Sequence, residues 1–155
     1  MTIYAIKHLT AEEDLRTEPY QDSLGYWTIG VGHLIDRRRG GTFPEWIKSF
    51  PLTKDEAEKL LSEDIDKVEE ELIDRIPWYL DLDQVRQTVL LSMAFQMGVG
   101  GLLTFKRTLA HISKKEYALA AAEMFNSKWA SQTKKRAGRL ALAMRSGHQQ
   151  WLDGP

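Results

Sequence analysis

The chain has no cysteine among its 155 residues, which removes disulfides, thiolate metal sites and any thiol nucleophile. An apolar run of about 18 residues, the length a spanning helix needs, is absent, and residues 1–8 lack the continuous apolar stretch of a secretory signal. The expectation is therefore a soluble product made in the cytoplasm, with no stable membrane insertion. His8, His33, His111 and His148 are scattered, without the i,i+4 spacing or carboxylate companions of a metal site, so no metal is expected. No serine stands in a nucleophile-elbow sequence. Gly98-Val99-Gly100-Gly101 follows a helical pattern rather than a strand, which makes it a helix stop and not a dinucleotide loop. Internal repeats and low-complexity segments are also missing.

What remains is an ordinary globular composition, 43% hydrophobic and 28% charged, in a chain long enough to bury a core. The net charge of −1 hides an asymmetry, because residues 1–100 carry −8 and residues 101–155 carry +7. Such polarity can steer the basic part toward a polyanion such as an anionic cell envelope or a nucleic acid. Lys134, Lys135, Arg136 and Arg139 alternate with Ala137, Leu140, Ala141 and Met144 at helical spacing. We read this segment as a core-packed helix with a solvated basic face rather than as a membrane-active one.

Periodicity predicts a short helix over 3–13, then a small antiparallel sheet through the aromatic and β-branched stretch that holds Pro19, Gly25, Gly30 and Gly32. Residues 36–51, with Arg37-Arg38-Arg39, Gly40-Gly41, Pro44 and Pro51, read as a variable loop. Thr53-Lys54-Asp55-Glu56 is a capping box, and Ala57, Leu60, Leu61, Ile65, Val68, Leu72 and Ile76 then recur at helical spacing until Pro77. Further helices are expected over 83–97 behind Asp83, 104–112 behind Thr104, 114–126, and 134–146 behind Thr133, with Trp129-Ala130-Ser131-Gln132 as a separator. The fold class is α+β and mostly helical. It comprises one domain, 1–155, with an N-terminal sheet lobe at about 14–53, a linking helix at about 54–76 and an all-helical lobe at about 77–155, the helix 3–13 lying near the cleft.

Glu13 closes the first helix, and Asp22 follows a strand-forming stretch. Two acids so placed can face each other across a cleft. Cleaving a glycosidic bond uses such a pair, one kept protonated to assist the leaving oxygen and one ionised to activate water on the opposite face of the sugar.

Glu13-Asp14-Leu15-Arg16, Tyr20-Gln21-Asp22, Gly25-Tyr26-Trp27-Thr28-Ile29-Gly30-Val31-Gly32-His33-Leu34, Thr53-Lys54-Asp55-Glu56-Ala57-Glu58-Lys59-Leu60, Phe95-Gln96-Met97-Gly98 and Ser127-Lys128-Trp129-Ala130-Ser131-Gln132-Thr133 resemble, in order, the T-even phage lysozyme family and its endolysin relatives. The resemblance runs from about residue 6 to residue 151. It implies a lysozyme-like fold and hydrolysis of the β-1,4 bond between N-acetylmuramic acid and N-acetylglucosamine in bacterial peptidoglycan. It implies Glu13 as general acid, Asp22 as the carboxylate across the ring, and Thr28 as the holder of the attacking water. Leu34, Phe95, Gln96, Thr108 and Trp129 match cleft residues that touch substrate, while His33 and Arg136 match residues that support the cleft. No cofactor is implied. The resemblance also implies a monomer that reaches the periplasm from the host bacterial cytoplasm through a separately encoded membrane pore, a holin.

Three positions depart from the family pattern. Asp14 stands where glycine is expected, and a carboxylate there raises the proton affinity of Glu13 if the two side chains approach. Glu123 replaces an amide expected to touch sugar, and the loop 36–51 differs in length and content. Two other readings compete: a non-hydrolytic wall-binding or bacteriocin-type lysozyme-like domain, and a nucleic-acid-binding helical protein using the basic residues 101–155. The conjunction of Glu13, Asp22 and Thr28 disfavours both, and no nucleic acid partner is expected.

Overall fold

The computed structural model describes residues 4–12, 15–21, 27–31, 33–34, 46–47, 49 and 51–153, with the backbone alone described between 15 and 34. It is mostly helical. Helix α1 (Ala5–Glu12) is followed by three short strands, β1 (Leu15–Gln21), β2 (Trp27–Val31) and β3 (His33–Leu34). These pair antiparallel in the order β1-β2-β3, with Leu15 opposite Val31, Gln21 opposite Trp27 and Thr28 opposite Leu34. The register between β1 and β2 is irregular between Arg16 and Tyr20, where Pro19 has no backbone N–H to give to a ladder.

Helix α2 (Lys54–Arg75) starts where its caps dictate. The Glu56 N–H donates to Thr53 Oγ1 at 3.1 Å and the Thr53 N–H donates to Glu56 Oε1 at 2.9 Å, so two otherwise orphaned amides are satisfied reciprocally. Ile76 leaves the helix in an extended conformation ahead of Pro77, as the residue before a proline is sterically pushed to do. One face of α2 buries Leu60, Leu61, Ile65 and Leu72, and the helix packs on the strands along one part and on α1 and α3 along another. The buried Glu69 accepts from the Tyr79 hydroxyl at 2.7 Å, and burial first, then that carboxylate, pushes the phenol pKa upward.

The remaining helices are α3 (Gln84–Leu103), α4 (Lys106–Ser113), α5 (Tyr117–Phe125), α6 (Lys128–Gln132) and α7 (Lys134–Ser146), with 3-10 turns at Tyr79–Asp81 and Gln149–Leu152. Helix α3 is the axis of the main core. Val89, Leu90, Leu91 and Met93 are inaccessible to solvent on successive sides of it, so it is wrapped rather than merely leaned upon. Arg86 ties its first turn to the end of α7: its guanidinium pairs with the capping Asp83 at 3.0 Å and donates to the carbonyls of Met144 at 2.7 Å and Arg145 at 3.1 Å. A cation is favoured there because the last carbonyls of a helix are orphaned and carry partial negative charge. Gly147 ends α7 at φ +71°, and a Cβ on it would lie 3.0 Å from the Arg86 guanidinium, so conformation and space both require glycine.

Four local expectations need correction. The glycine run at 98–101 does not stop α3; Gly98, at φ +81°, kinks it, and helical structure continues to Leu103. Thr104 caps the end of α3 by donating to Gly101 O at 2.6 Å and is not the start of α4. Residues 128–132, read as a separator, form α6 because the Ser127 hydroxyl accepts from the Ala130 N–H at 3.1 Å. Thr133 makes no side-chain cap for α7; its hydroxyl donates back to Trp129 O at 3.0 Å.

Candidate active site

Glu13 and Asp22 lie outside the described residues, as does Asp14. Thr28 and Leu34 sit opposite each other on β2 and β3, and His33 begins β3 opposite Ile29; their side chains are outside the description. The C-terminal end of α1 is held from the side of α7. Glu12, the last residue of α1, receives the Arg139 guanidinium in a mostly buried ion pair. Arg136, one turn earlier on α7, donates through Nη2 to Ser92 Oγ at 3.0 Å and to Ser92 O at 3.3 Å. A recess of about 550 Å³ opens here, lined among others by Ala11, Glu12, Gln132, Lys134, Arg136 and Arg139. The C-terminal end of α1, at Ala11 and Glu12, therefore lies at the edge of a basic depression.

A second and better enclosed cavity, about 620 Å³, lies where α4, α5 and α6 meet, and Gln132 lines both. Its wall includes Thr108, Glu123 and Trp129, and Lys106, Arg107 and Lys128 stand around it. Trp129 is mostly buried; its indole N–H donates to Gln96 Oε1 at 2.9 Å, and its ring meets Phe105 edge-on at 5.9 Å between centroids. That bond fixes the Gln96 amide with its NH2 turned away from the indole. Phe95 packs partly buried against the main core. Of the residues matched to substrate contacts, Thr108 and Trp129 thus line one cavity and Gln96 is held to Trp129, whereas Phe95 leans on the core.

Sequence reasoning passed over His8. It falls on the buried stripe of α1 with Ala5 and Leu9, and that i, i+3, i+4 spacing was the available signal of a core-facing imidazole. Its ring reaches Leu152 O at 2.9 Å and Ser92 Oγ at 2.7 Å. Burial, as the largest influence, holds its pKa below the ordinary 6.5, with Arg136 and Arg139 acting in the same direction and Glu12 and the Leu152 carbonyl opposing. Among the described residues, no group of three or more His, Asp or Glu side chains is placed to hold a metal ion. No single described helix is long and apolar enough to cross a membrane.

A profile of the phage lysozyme family matches residues 10–146. Similar proteins include probable T4-type lysozyme 1 of Dictyostelium discoideum, 36% identical over 90% of this chain and 92% of its own length. The pre-baseplate central spike protein Gp5 of Enterobacteria phage T4 is 30% identical over 90% of this chain but only 27% of its own. An endolysin of Acyrthosiphon pisum secondary endosymbiont phage 1 is 30% identical over 84% of this chain and 79% of its own. The match runs from the last residues of α1 through both acids, the strands and helices α2 to α7, and the chain belongs to the phage lysozyme family, the T4-type muramidases among the glycoside hydrolases.

Proposed function

We propose that this lysozyme cleaves the β-1,4 bond between N-acetylmuramic acid and N-acetylglucosamine in bacterial peptidoglycan as an endolysin, with Glu13 as general acid and Asp22 and Thr28 directing water. The observation that carries the reading is the place of α1. Its last residue, Glu12, lines a basic recess that meets, at Gln132, the cavity of Thr108 and Trp129, and Glu13 is the next residue in the chain. Glu13 follows the C-terminal end of a helix, where partial negative charge disfavours ionisation and favours the protonated acid. It donates to the bridging oxygen as the bond to the anomeric carbon breaks. Asp22, ionised, takes a proton from the water that attacks the opposite face, with Thr28 orienting that water. The developing oxocarbenium ion gains from the carboxylate charge. Carboxylates about 6.5–9.5 Å apart with water between them give net inversion.

The overall arrangement in this reading is the α+β lysozyme-like fold, with a sheet lobe at about 14–53 joined through α2 to the helical lobe. The indole of Trp129 offers an apolar face to a sugar ring, the Gln96 amide N–H groups suit an acetamido oxygen, and Lys106, Arg107 and Lys128 suit the carboxylates of wall peptides. His33 and Leu34 belong to the sheet side of the cleft. The enzyme acts as a monomer, made in a bacterial cytoplasm and released to the periplasm through a holin. The similarity to a phage spike protein favours one second reading, a lysozyme delivered to the wall from outside.

The test is release of new reducing ends from purified peptidoglycan by wild type beside Glu13→Gln. The amide is nearly isosteric but cannot donate the proton, so loss of turnover with unchanged thermal unfolding is expected. Turnover near wild type from a folded Glu13→Gln protein would remove Glu13 from the chemistry.

A further inference from the structure

We propose that His8 is a positioning residue for the hydrolytic reaction, acting through the Ser92 hydroxyl to hold the Arg136 guanidinium beside the end of α1 that leads into Glu13. The proposal rests on the reading of Glu13 as the general acid. Its basis is a chain of hydrogen bonds whose direction is fixed at both ends. A carbonyl only accepts, so His8 Nδ1 carries the proton that goes to Leu152 O, 2.9 Å away. A guanidinium only donates, so Ser92 Oγ accepts from Arg136 Nη2 at 3.0 Å. The Ser92 proton is then free to point at His8 Nε2, 2.7 Å away, which in a neutral ring is an acceptor. Four segments of the chain, α1, α3, α7 and the C-terminal turn, are joined by three bonds.

His8 is 1% exposed and Ser92 is 0% exposed. A leucine at position 8 would suit the stripe formed by Ala5 and Leu9 without burying a polar ring, whereas a buried imidazole is tolerated only with its nitrogens satisfied. Satisfying Leu152 O needs a donor alone. The acceptor Nε2 does something more: it takes up the Ser92 proton, leaving the oxygen's lone pairs for Arg136. A protonated ring would reverse that bond and place a third cation beside Arg136 and Arg139, with Glu12 as the opposing charge in this group. Burial keeps His8 neutral and so keeps the chain of donors running one way. The Glu12–Arg139 pair, on the next turns of the same two helices, fixes the separation of α1 and α7 that the chain spans.

A cation near a carboxylate lowers its pKa. Arg136 lines the same recess as Glu12, the residue before the acid, so in this proposal releasing Arg136 raises the pKa of Glu13 and moves the alkaline limb of the pH profile upward. The test measures kcat and KM against pH on solubilised, uncrosslinked peptidoglycan strands for His8→Leu, His8→Gln, Ser92→Ala and Glu13→Gln in the full chain. Ser92→Ala and His8→Leu are expected to lower kcat, leave KM near wild type and shift the alkaline limb up by about half to one pH unit. His8→Gln, which offers both an N–H donor and an acceptor oxygen, is expected to recover the wild-type limb. A limb that stays in place in Ser92→Ala, whatever the loss of amplitude, overturns the proposal, and this variant carries the test if His8→Leu fails to fold. An active Glu13→Gln would instead overturn the assignment of the acid.

Discussion

The described residues hold two apolar clusters of very different size, and α2 runs from one to the other. The small one gathers Leu52, Ala57 and Leu60 with Trp46 and Ile47 against it, and it is finished by polar contacts: Lys59 lies 4.5 Å over the Trp46 ring, and the Trp46 indole N–H donates to Glu63 at 3.1 Å. The large one surrounds α3 and takes in Ala5 and Leu9 of α1 together with Leu140, Ala141 and Met144 of α7. The helix that precedes the proposed acid in the chain is thus built into the large cluster, although the strands that follow it rest on α2. Two sides of a cleft can then be supported by separate cores, one firm and one thin.

Cutting the same side chain from each core tests whether the two differ in firmness. Leu91→Ala, at a fully buried site of α3, is expected to cost about 4–5 kcal/mol, and Leu60→Ala, where few neighbours resist collapse, about 2–3 kcal/mol. Urea unfolding followed by circular dichroism checks both, and equal losses would mean that the two clusters form one cooperative core.

Next is the joint between α1 and α7. Arg139→Ala leaves Glu12 mostly buried without its partner and is expected to cost about 3 kcal/mol. Arg75→Ala, which removes a pair to Glu71 at 3.9 Å with both side chains about half exposed, is expected to change stability by no more than a few tenths of a kcal/mol. Thermal unfolding of the two variants side by side measures the contrast. Thr53→Ala, at the capping box, should cost about 1 kcal/mol.

The effect that depends on pH belongs to His8. Its pKa in the folded chain lies below 6.5, so between those two values the unfolded chain binds more protons than the folded one. Stability contributed by the neutral ring is complete above 6.5 and falls as pH drops from there toward the folded value. Comparing the unfolding free energy of wild type and His8→Gln from pH 7 to pH 4.5 should show a slope in the first that is shallower in the second.

Much of this was legible in the chain itself. The start of α2 is written in Thr53 and Glu56, because a capping box is a local contract between neighbours, and its end in Pro77. Asp83 likewise announces α3. The kink at Gly98 and the short helix α6 were not legible, since glycine tolerates both a stop and a bend and a five-residue helix is too short to show a periodic pattern. The Trp129–Gln96 bond and the path from His8 through Ser92 to Arg136 join residues 33, 84 and 44 positions apart, and no local pattern encodes such partners. The acids at 13 and 22, by contrast, are read more fully from the sequence than from the described structure.

The identity of the sugar at each new chain end distinguishes muramidase cleavage from other wall activities. Purified peptidoglycan is digested, the products are reduced with borohydride, and the reduced amino sugars are separated after acid hydrolysis. Cleavage after N-acetylmuramic acid predicts muramitol rising with digestion time and absent with Glu13→Gln. Glucosaminitol rising in its place, or neither alcohol rising while the protein stays bound to the wall, would contradict the account.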